Sequence, residues 1–136
     1  MTLLIDTNVI LDVFQKREPF FFHSYTALRK AAEQNADCYL SSSAVTDIFY
    51  ILRKSFQSKE RAKETLQNLV QLIAFTDVLP SDIMDALASE MPDFEDALVN
   101  AVAHRIGADY ILTRNTRDYA KSDVPAITPE EYLKQS

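Results

Sequence analysis

Met1-Thr-Leu-Leu-Ile-Asp-Thr-Asn-Val-Ile10 is the stretch whose reading decides the fold. Leu3, Leu4 and Ile5 form a short apolar run that ends in Asp6, the pattern of a buried strand closed by a turn. Thr7 and Asn8 are helix-capping types, and Val9, Ile10, Val13 and Phe14 follow at helical spacing. The order is strand, carboxylate, helix. A strand with no polar face belongs inside a parallel sheet. Asp6 then stands at the carboxyl end of its strand, where open α/β sheets place their ligand sites. The competing reading is that Asp6 only caps the next helix.

Outward from this stretch, the chain alternates apolar runs and helical periods. Gln15 to Pro19 is a polar break, and Pro19 is expected to start a helix running to about Asn35. Phe20, Phe21 and Phe22 cannot all face one core; they pack under a neighbouring helix or meet a partner. His23 has no companion ligands and reads as structural or exposed. Cys38-Tyr-Leu40 is the second strand. Ser41, Ser42 and Ser43 precede a helix from about Ala44, with Val45, Ile48, Phe49 and Leu52 on one face. Ser58 caps a helix to about Leu72. Ala74 to Leu79 is the third strand, and Pro80 opens a helix expected to turn Ile83, Met84, Leu87 and Ala88 inward.

Pro92 then opens a helix from Asp93 to about Ile106. At 100° per residue Asp93, Asp96, Asn100 and His104 share one face, and Leu98, Val99, Val102 and Ile106 are expected to dock on the sheet. Gly107, the only glycine, fits a left-handed cap. Asp109-Tyr-Ile-Leu-Thr113 is the fourth strand, followed by a loop and short helix to Tyr119. Val124 to Ile127 is a small peripheral strand, and Thr128 and Pro129 cap a last helix to Gln135. The regular alternation of strands and helical crossovers implies an α/β fold, a three-layer α/β/α sandwich around a parallel sheet of about five strands. No repeat or linker divides residues 1–136, so a single domain is expected.

Bulk properties narrow the function. The chain has 136 residues, 47% hydrophobic and 25% charged, and a formal net charge of −6. That balance argues against coating nucleic acid non-specifically, because such affinity comes from neutralising phosphates. A nuclease can still gather acids around metal and keep cations on a rim. The apolar runs are too short to cross a bilayer and no signal peptide is visible, so a cytoplasmic protein with no membrane association is expected. Cys38 is the single cysteine and is expected to be a buried thiol. Two His and one Cys give no zinc set, and no nucleotide-binding glycine motif or serine elbow is present.

Asp6, Asp47, Asp96 and the loop after Thr113 should approach one sheet edge. Like charges at close range raise one another's pKa. A hard divalent ion with oxygen ligands removes that conflict, which points to metal-dependent phosphodiester hydrolysis by activated water. Asp6, Asp47 and Asp96 are the expected metal core, with Asp93 and Asp118 as further ligand candidates; Asp93 reads equally as the cap of its helix. Thr7, Asn8, Thr113 and Asn115 are supporting candidates, and simple backbone capping is the alternative for both threonines. Arg114 and Arg117 suit phosphate oxygens, or pair with Asp118 or Glu on the surface. Lys54, Lys59, Arg61 and Lys63 read mainly as a solvated helix face.

Four stretches carry a family resemblance. Leu4-Ile-Asp-Thr-Asn-Val-Ile10, Ser43-Ala-Val-Thr-Asp-Ile48, Asp93-Phe-Glu-Asp-Ala-Leu98 and Tyr110-Ile-Leu-Thr-Arg-Asn115 resemble, in order, the motifs of PIN-domain proteins, and among them the ribonuclease toxins of prokaryotic toxin–antitoxin pairs. The resemblance runs from Leu3 to about Ile127. It implies the strand order 3-2-1-4-5, acids binding Mg²⁺ or Mn²⁺, RNA as substrate, a homodimer, and a small antitoxin whose tail covers the site. This chain departs from the pattern at Asn115, where the family often carries Asp; Asn brings no charge to a metal. Two other functions stay open: a structure-specific nuclease on DNA or RNA, and a non-catalytic RNA-binding or regulatory protein with a degenerate site. A phosphatase acting on small phosphoesters is a further possibility.

Overall fold

The computed structural model describes residues 1–135; Ser136, the last residue of the expected domain, lies outside them. Strand β1 (Thr2–Ile5) is central. Leu3, Leu4 and Ile5 are all buried, so both faces of the strand are covered. Each such side chain contributes roughly 1.5–3 kcal/mol by leaving water. β2 (Asp37–Ser41) and β4 (Tyr110–Leu112) flank β1 in parallel, with Leu3 opposite both Cys38 and Tyr110. β3 (Ala74–Thr76) and β5 (Ala126–Ile127) complete the sheet at its two edges, also in parallel. The order is β3-β2-β1-β4-β5, as expected from the resemblance.

Alternation along the strands divides the core in two. Leu3, Ile5, Leu40 and Leu112 face one side, where Val9, Ile10, Ala27, Ile48, Leu52, Leu69 and Tyr132 pack. These come from α1 (Thr7–Phe14), α2 (Phe21–Glu33), α3 (Val45–Phe56), α4 (Lys59–Leu72) and α7 (Pro129–Leu133). Leu4 and Ile111 face the other side, against Ala86 of α5 (Pro80–Ala88) and Ala97, Val102 and Ala103 of α6 (Phe94–Arg105). The result is the three-layer sandwich.

Local chemistry sets several boundaries. The Ser58 hydroxyl accepts from the Arg61 amide at 3.1 Å, and Thr128 and Glu131 form a reciprocal capping box. Gly107 has φ +70°; its amide donates to His104 O at 3.2 Å, and the Ala108 amide to Ala103 O at 2.9 Å. This pair of bonds is the Schellman termination that a Cβ would strain. Helix α2 begins at Phe21, two residues beyond Pro19. Phe21 stacks on Tyr25 with centroids 5.6 Å apart, while Phe20 and Phe22 remain exposed. Cys38 is half-buried, and burial pushes its thiol pKa up.

One expected helix face is corrected and a second is met in part. On α5, Ile83, Met84 and Leu87 are 41%, 67% and 67% exposed, and Ala88 is exposed too. The helix is rolled so that Asp82 and Ala86 go inside instead. Asp82 accepts the Leu79 amide at 2.8 Å and Arg105 Nε at 3.0 and 3.1 Å. Arg105 also reaches Asp77 at 2.9 Å. Burial raises the pKa of Asp82, but the bonds from Arg105 and Leu79 outweigh it and hold that carboxyl below the usual range. On α6 the buried residues are Ala97, Asn100, Ala101, Val102 and Ala103, spread round most of the helix, and Ala97, Val102 and Ala103 join the sheet-side core. Leu98 and Val99 are only half-buried. Asn100, expected on the acidic face, is buried and accepts the Val124 amide at 3.1 Å. The expected stripe does pack on the sheet side, with Val102 fully buried and Leu98, Val99 and Ile106 half-buried against the same core; what differs is that the alanines are buried as well.

Candidate active site

β1 ends at Ile5, and the amide of Asp6 donates to Leu112 O at 2.9 Å. The next amide on the β4 side, Thr113, donates to Ile127 O at 3.0 Å. These two bonds extend the ladder by one rung and bring Asp6 and Thr113 side by side at the sheet's carboxyl edge. Asp6 makes no capping bond with its side chain, which sets aside the reading that it only caps α1. Its Oδ2 accepts from Thr113 Oγ1 at 2.8 Å, Tyr119 OH at 3.2 Å and, more weakly, Asn8 Nδ2 at 3.4 Å.

Thr113 is fully buried, and its hydroxyl is saturated. It gives its proton to Asp6 and accepts from Asn8 Nδ2 at 3.2 Å and the Asn115 amide at 3.1 Å. Asn8 Oδ1 accepts the Arg114 amide at 3.2 Å. This knot ties the start of α1 to the loop after β4.

Asp96 sits in the first turn of α6. Asp93 is the cap of that helix: its Oδ1 accepts the Asp96 amide at 2.9 Å. The buried Tyr119 lies in the 3₁₀ turn Thr116–Tyr119. Its hydroxyl is 3.3 Å from Asp96 Oδ1 as well as 3.2 Å from Asp6 Oδ2. One phenolic proton therefore serves two carboxylates in turn. Burial and the two acids push the Tyr119 pKa upward, so the phenol stays protonated.

A cleft of about 660 Å³ opens over these groups. Asp6, Thr7, Asn8, Asp47, Asp96, Asn115 and Asp118 of the expected set line it, and Asp93 does not. Asp47 is exposed on α3, across from Glu95. Burial raises the pKa of Asp6, with Asp118 adding to it. Burial, then Asp93, Asp6 and Asp118, push Asp96 up to about 6. Burial, then Asp47, Asp93 and Asp6, raise Glu95. Mutual repulsion is the expected consequence of gathering acids without a counter-charge.

These residues fit a hard divalent ion. The donors are carboxylate, amide and hydroxyl oxygens, and among the described residues Arg17 is the one cationic side chain lining the cleft. Among the described residues no three His, Cys, Asp or Glu side chains stand together in a group that could hold a metal ion, so any ligation rests on one or two carboxylates and water. Mg²⁺ takes one or two carboxylates and keeps several waters, so an open arrangement suits it.

Three residues carry roles that were not read from the sequence. Tyr119 ends the expected loop and short helix, and its place after Thr113 is the one local signal that ties it to the site. Glu95, beside Asp96, faces Asp47, a contact no local pattern marks. Arg17 lies in the polar break before α2, and no periodicity ties it to the cleft. Arg114, expected at phosphate, is engaged elsewhere: its Nε donates to Asp12 Oδ2 at 2.7 Å and its guanidinium covers the Phe20 ring at 4.0 Å. Asp12 is 0% exposed and also accepts from Ser24 Oγ at 3.1 Å. Arg117 is exposed and borders, with Asn115 and Asp118, a shallow depression beside the cleft.

Comparison with known proteins agrees with this architecture. Ribonuclease VapC1 of Aquifex aeolicus is 26% identical over 137 residues, covering 98% of this chain and 94% of that one. A chain of the DNA-bound VapBC2 complex of Rickettsia felis superposes with a TM-score of 0.77 at 18% identity, covering 94% of this chain and 98% of that chain. A chain of a Klebsiella pneumoniae toxin–antitoxin complex gives a TM-score of 0.70 at 20% identity, covering 93% and 97%. The family model for the PIN domain matches residues 2–117. From sheet order, edge acids and this match together, the chain belongs to the PIN-domain family.

Proposed function

We propose that this protein is a metal-dependent endoribonuclease acting in the cytoplasm as the toxin of a toxin–antitoxin pair. The observation that carries the reading is the meeting of Asp6 and Asp96 on the neutral Tyr119 hydroxyl, with Asp96 pushed up to about 6 by burial and the neighbouring acids. Ribonuclease VapC1, similar along nearly the whole chain, supports RNA as substrate. The folds shared with chains of toxin–antitoxin complexes support a small antitoxin as partner. Apolar side chains left in solvent on α5 (Ile83, Met84, Leu87) and on α2 (Phe22, Tyr25) support association, including a homodimer.

Asp6 and Asp96 would hold Mg²⁺ or Mn²⁺ through one or two carboxylates and water, with Asp47, Glu95 and Asp118 lining the same cleft and adding negative charge. The ion, when bound, supplies the positive charge and the water activation that phosphodiester hydrolysis needs. Thr113 and Tyr119 orient the carboxylates by donating to them without neutralising them. Arg17 inside the cleft and Arg117 at its border meet phosphate oxygens by charge-assisted bonds. Asn115 contributes a neutral donor and acceptor at the place where a further acid is often found.

The test is incubation of purified protein with a mixed RNA panel in Mn²⁺, in Mg²⁺ and in chelator, beside Asp6→Ala. Cleavage that needs the ion and disappears in the variant is expected. Intact RNA in every lane, from folded protein that binds Mn²⁺, refutes the nuclease and leaves an RNA-binding role.

A further inference from the structure

Two aromatic rings stand in solvent at the lip of the acid cleft. Tyr50 on α3 is 62% exposed and Phe94 on α6 is 48% exposed, and both line the cleft with Asp47, Glu95 and Asp96. Packing does not require either ring to be there. Tyr50 is steadied by an edge contact with Phe49, centroids 5.5 Å apart.

The depression does not end at Tyr50. The same ring borders a second groove of about 550 Å³, formed with Arg53, Lys54, Gln57, Ser58, Lys59 and Glu60. Tyr50, Arg53 and Lys54 lie at i, i+3 and i+4 and so share a helix face. The groove holds three cations and one carboxylate in a chain of net charge −6. Among the described residues none of the three cations is in an ion pair. The basic run therefore splits: Arg61 is laid over the Phe56 ring at 4.4 Å, and neither Arg61 nor Lys63 lines the groove.

We propose that α3 and the turn into α4 form a track for an unpaired RNA strand. Bases stack on Tyr50 and Phe94, and Arg53, Lys54 and Lys59 take the phosphates that lead up to the acids. The proposal rests on the nuclease reading for its ligand and deepens it by naming the side chains outside the acid cluster that lead an RNA strand into the cleft. Acids alone repel a polyanion, so a productive approach needs cations beside the cleft. An exposed ring binds only a base whose face is free, and in a duplex those faces are already stacked.

The test is fluorescence anisotropy in chelator at low salt, with a labelled unpaired RNA dodecamer and the same strand annealed to its complement. Tyr50→Ala is expected to weaken unpaired RNA by roughly 5- to 100-fold, the range of base–aromatic stacking. Tyr50→Phe keeps the ring and keeps the affinity. Lys54→Ser with Lys59→Ser flattens the slope of log K against log salt by about 1.4, at about 0.7 per phosphate contact. Duplex binds more weakly and is indifferent to Tyr50. All three side chains are exposed, so folding is not at stake. Unchanged affinity and slope in these variants overturn the track. So does a Tyr50→Ala effect confined to self-association, read by light scattering, which would make the ring a protein contact. If the binding pattern holds but wild-type protein cuts nothing with Mn²⁺, the nuclease reading falls and the track stands. Metal-dependent cutting with RNA binding indifferent to all these substitutions has the reverse meaning.

Discussion

Replacing Asp96 by Asn should make the metal-free protein more stable at neutral pH. The Asp96 carboxyl is pushed from its ordinary 3.8 up to about 6 by burial and by Asp93, Asp6 and Asp118. A raised pKa in the fold means that the charged form is the disfavoured one. The penalty is fully present above about pH 6 and is relieved as pH falls toward 4. Two units correspond to at most about 3 kcal/mol. The carboxylate opens onto a solvent-filled cleft, so screening reduces this to about 1–2 kcal/mol. For a chain of this length that is a rise in Tm of about 3–6 °C. Asn retains an Oδ1 to accept the Tyr119 hydroxyl, now 3.3 Å from Asp96, and the helix cap uses only the backbone amide of residue 96. The comparison therefore isolates the charge. The assay is calorimetric melting in chelator at pH 7.5 and pH 5, where the gain should be roughly halved. A variant that melts lower than wild type at pH 7.5, or a margin that does not change with pH, refutes the repulsion argument.

Thr113→Val removes a buried hydroxyl with three partners and should lower stability by about 1–3 kcal/mol in urea titration. It also takes from Asp6 a bond that lowers its pKa, so the pH at which cleavage turns on should move up. Arg114→Met strands the buried Asp12 carboxylate and should cost about 3–5 kcal/mol, with Asp12→Asn in the same chain recovering part of the loss. Mn²⁺ at a hundredfold its Kd should stabilise the wild type by about 2.7 kcal/mol, and the shift should vanish in Asp6→Asn.

What was legible in the sequence was local. Leu3 to Ile5, the Ser58 and Thr128 caps and Gly107 are each decided by neighbours within a few residues, and the structure has them where the pattern puts them. Asp6 and Asp96 were legible because strand ends and first helical turns are marked by the same local chemistry. The strand order came from family resemblance, since no periodicity encodes which strands pair. The side chains whose partners were missed are mostly polar and distant. Asp82 meets Arg105 23 residues away, Asp12 meets Arg114 102 residues away, and Tyr119 meets Asp6 across 113 residues. An apolar period on α5 gave no sign that Asp82 had a cation waiting on α6, and that ion pair, not the apolar stripe, decides which side of the helix goes inside.

The chain treats its inward-facing carboxylates in two opposite ways, and the contrast separates structure from chemistry. Asp12 and Asp82 are each met by a guanidinium, Arg114 and Arg105, at 2.7 and 3.0 Å. Their charge is cancelled inside the protein, and what they do is hold loop to helix and helix to helix. Asp6 and Asp96 meet neutral donors instead, the hydroxyls of Thr113 and Tyr119. A hydroxyl fixes the direction of a carboxylate oxygen and leaves its charge intact. A guanidinium in the same place would relieve the repulsion and lower both pKa values, and it would also repel any cation from solution. The raised Asp6 and Asp96 are thus the electrostatic consequence of keeping two oriented, uncancelled charges at the sheet edge. That arrangement costs the fold stability, and a positive charge brought to the cleft would offset it.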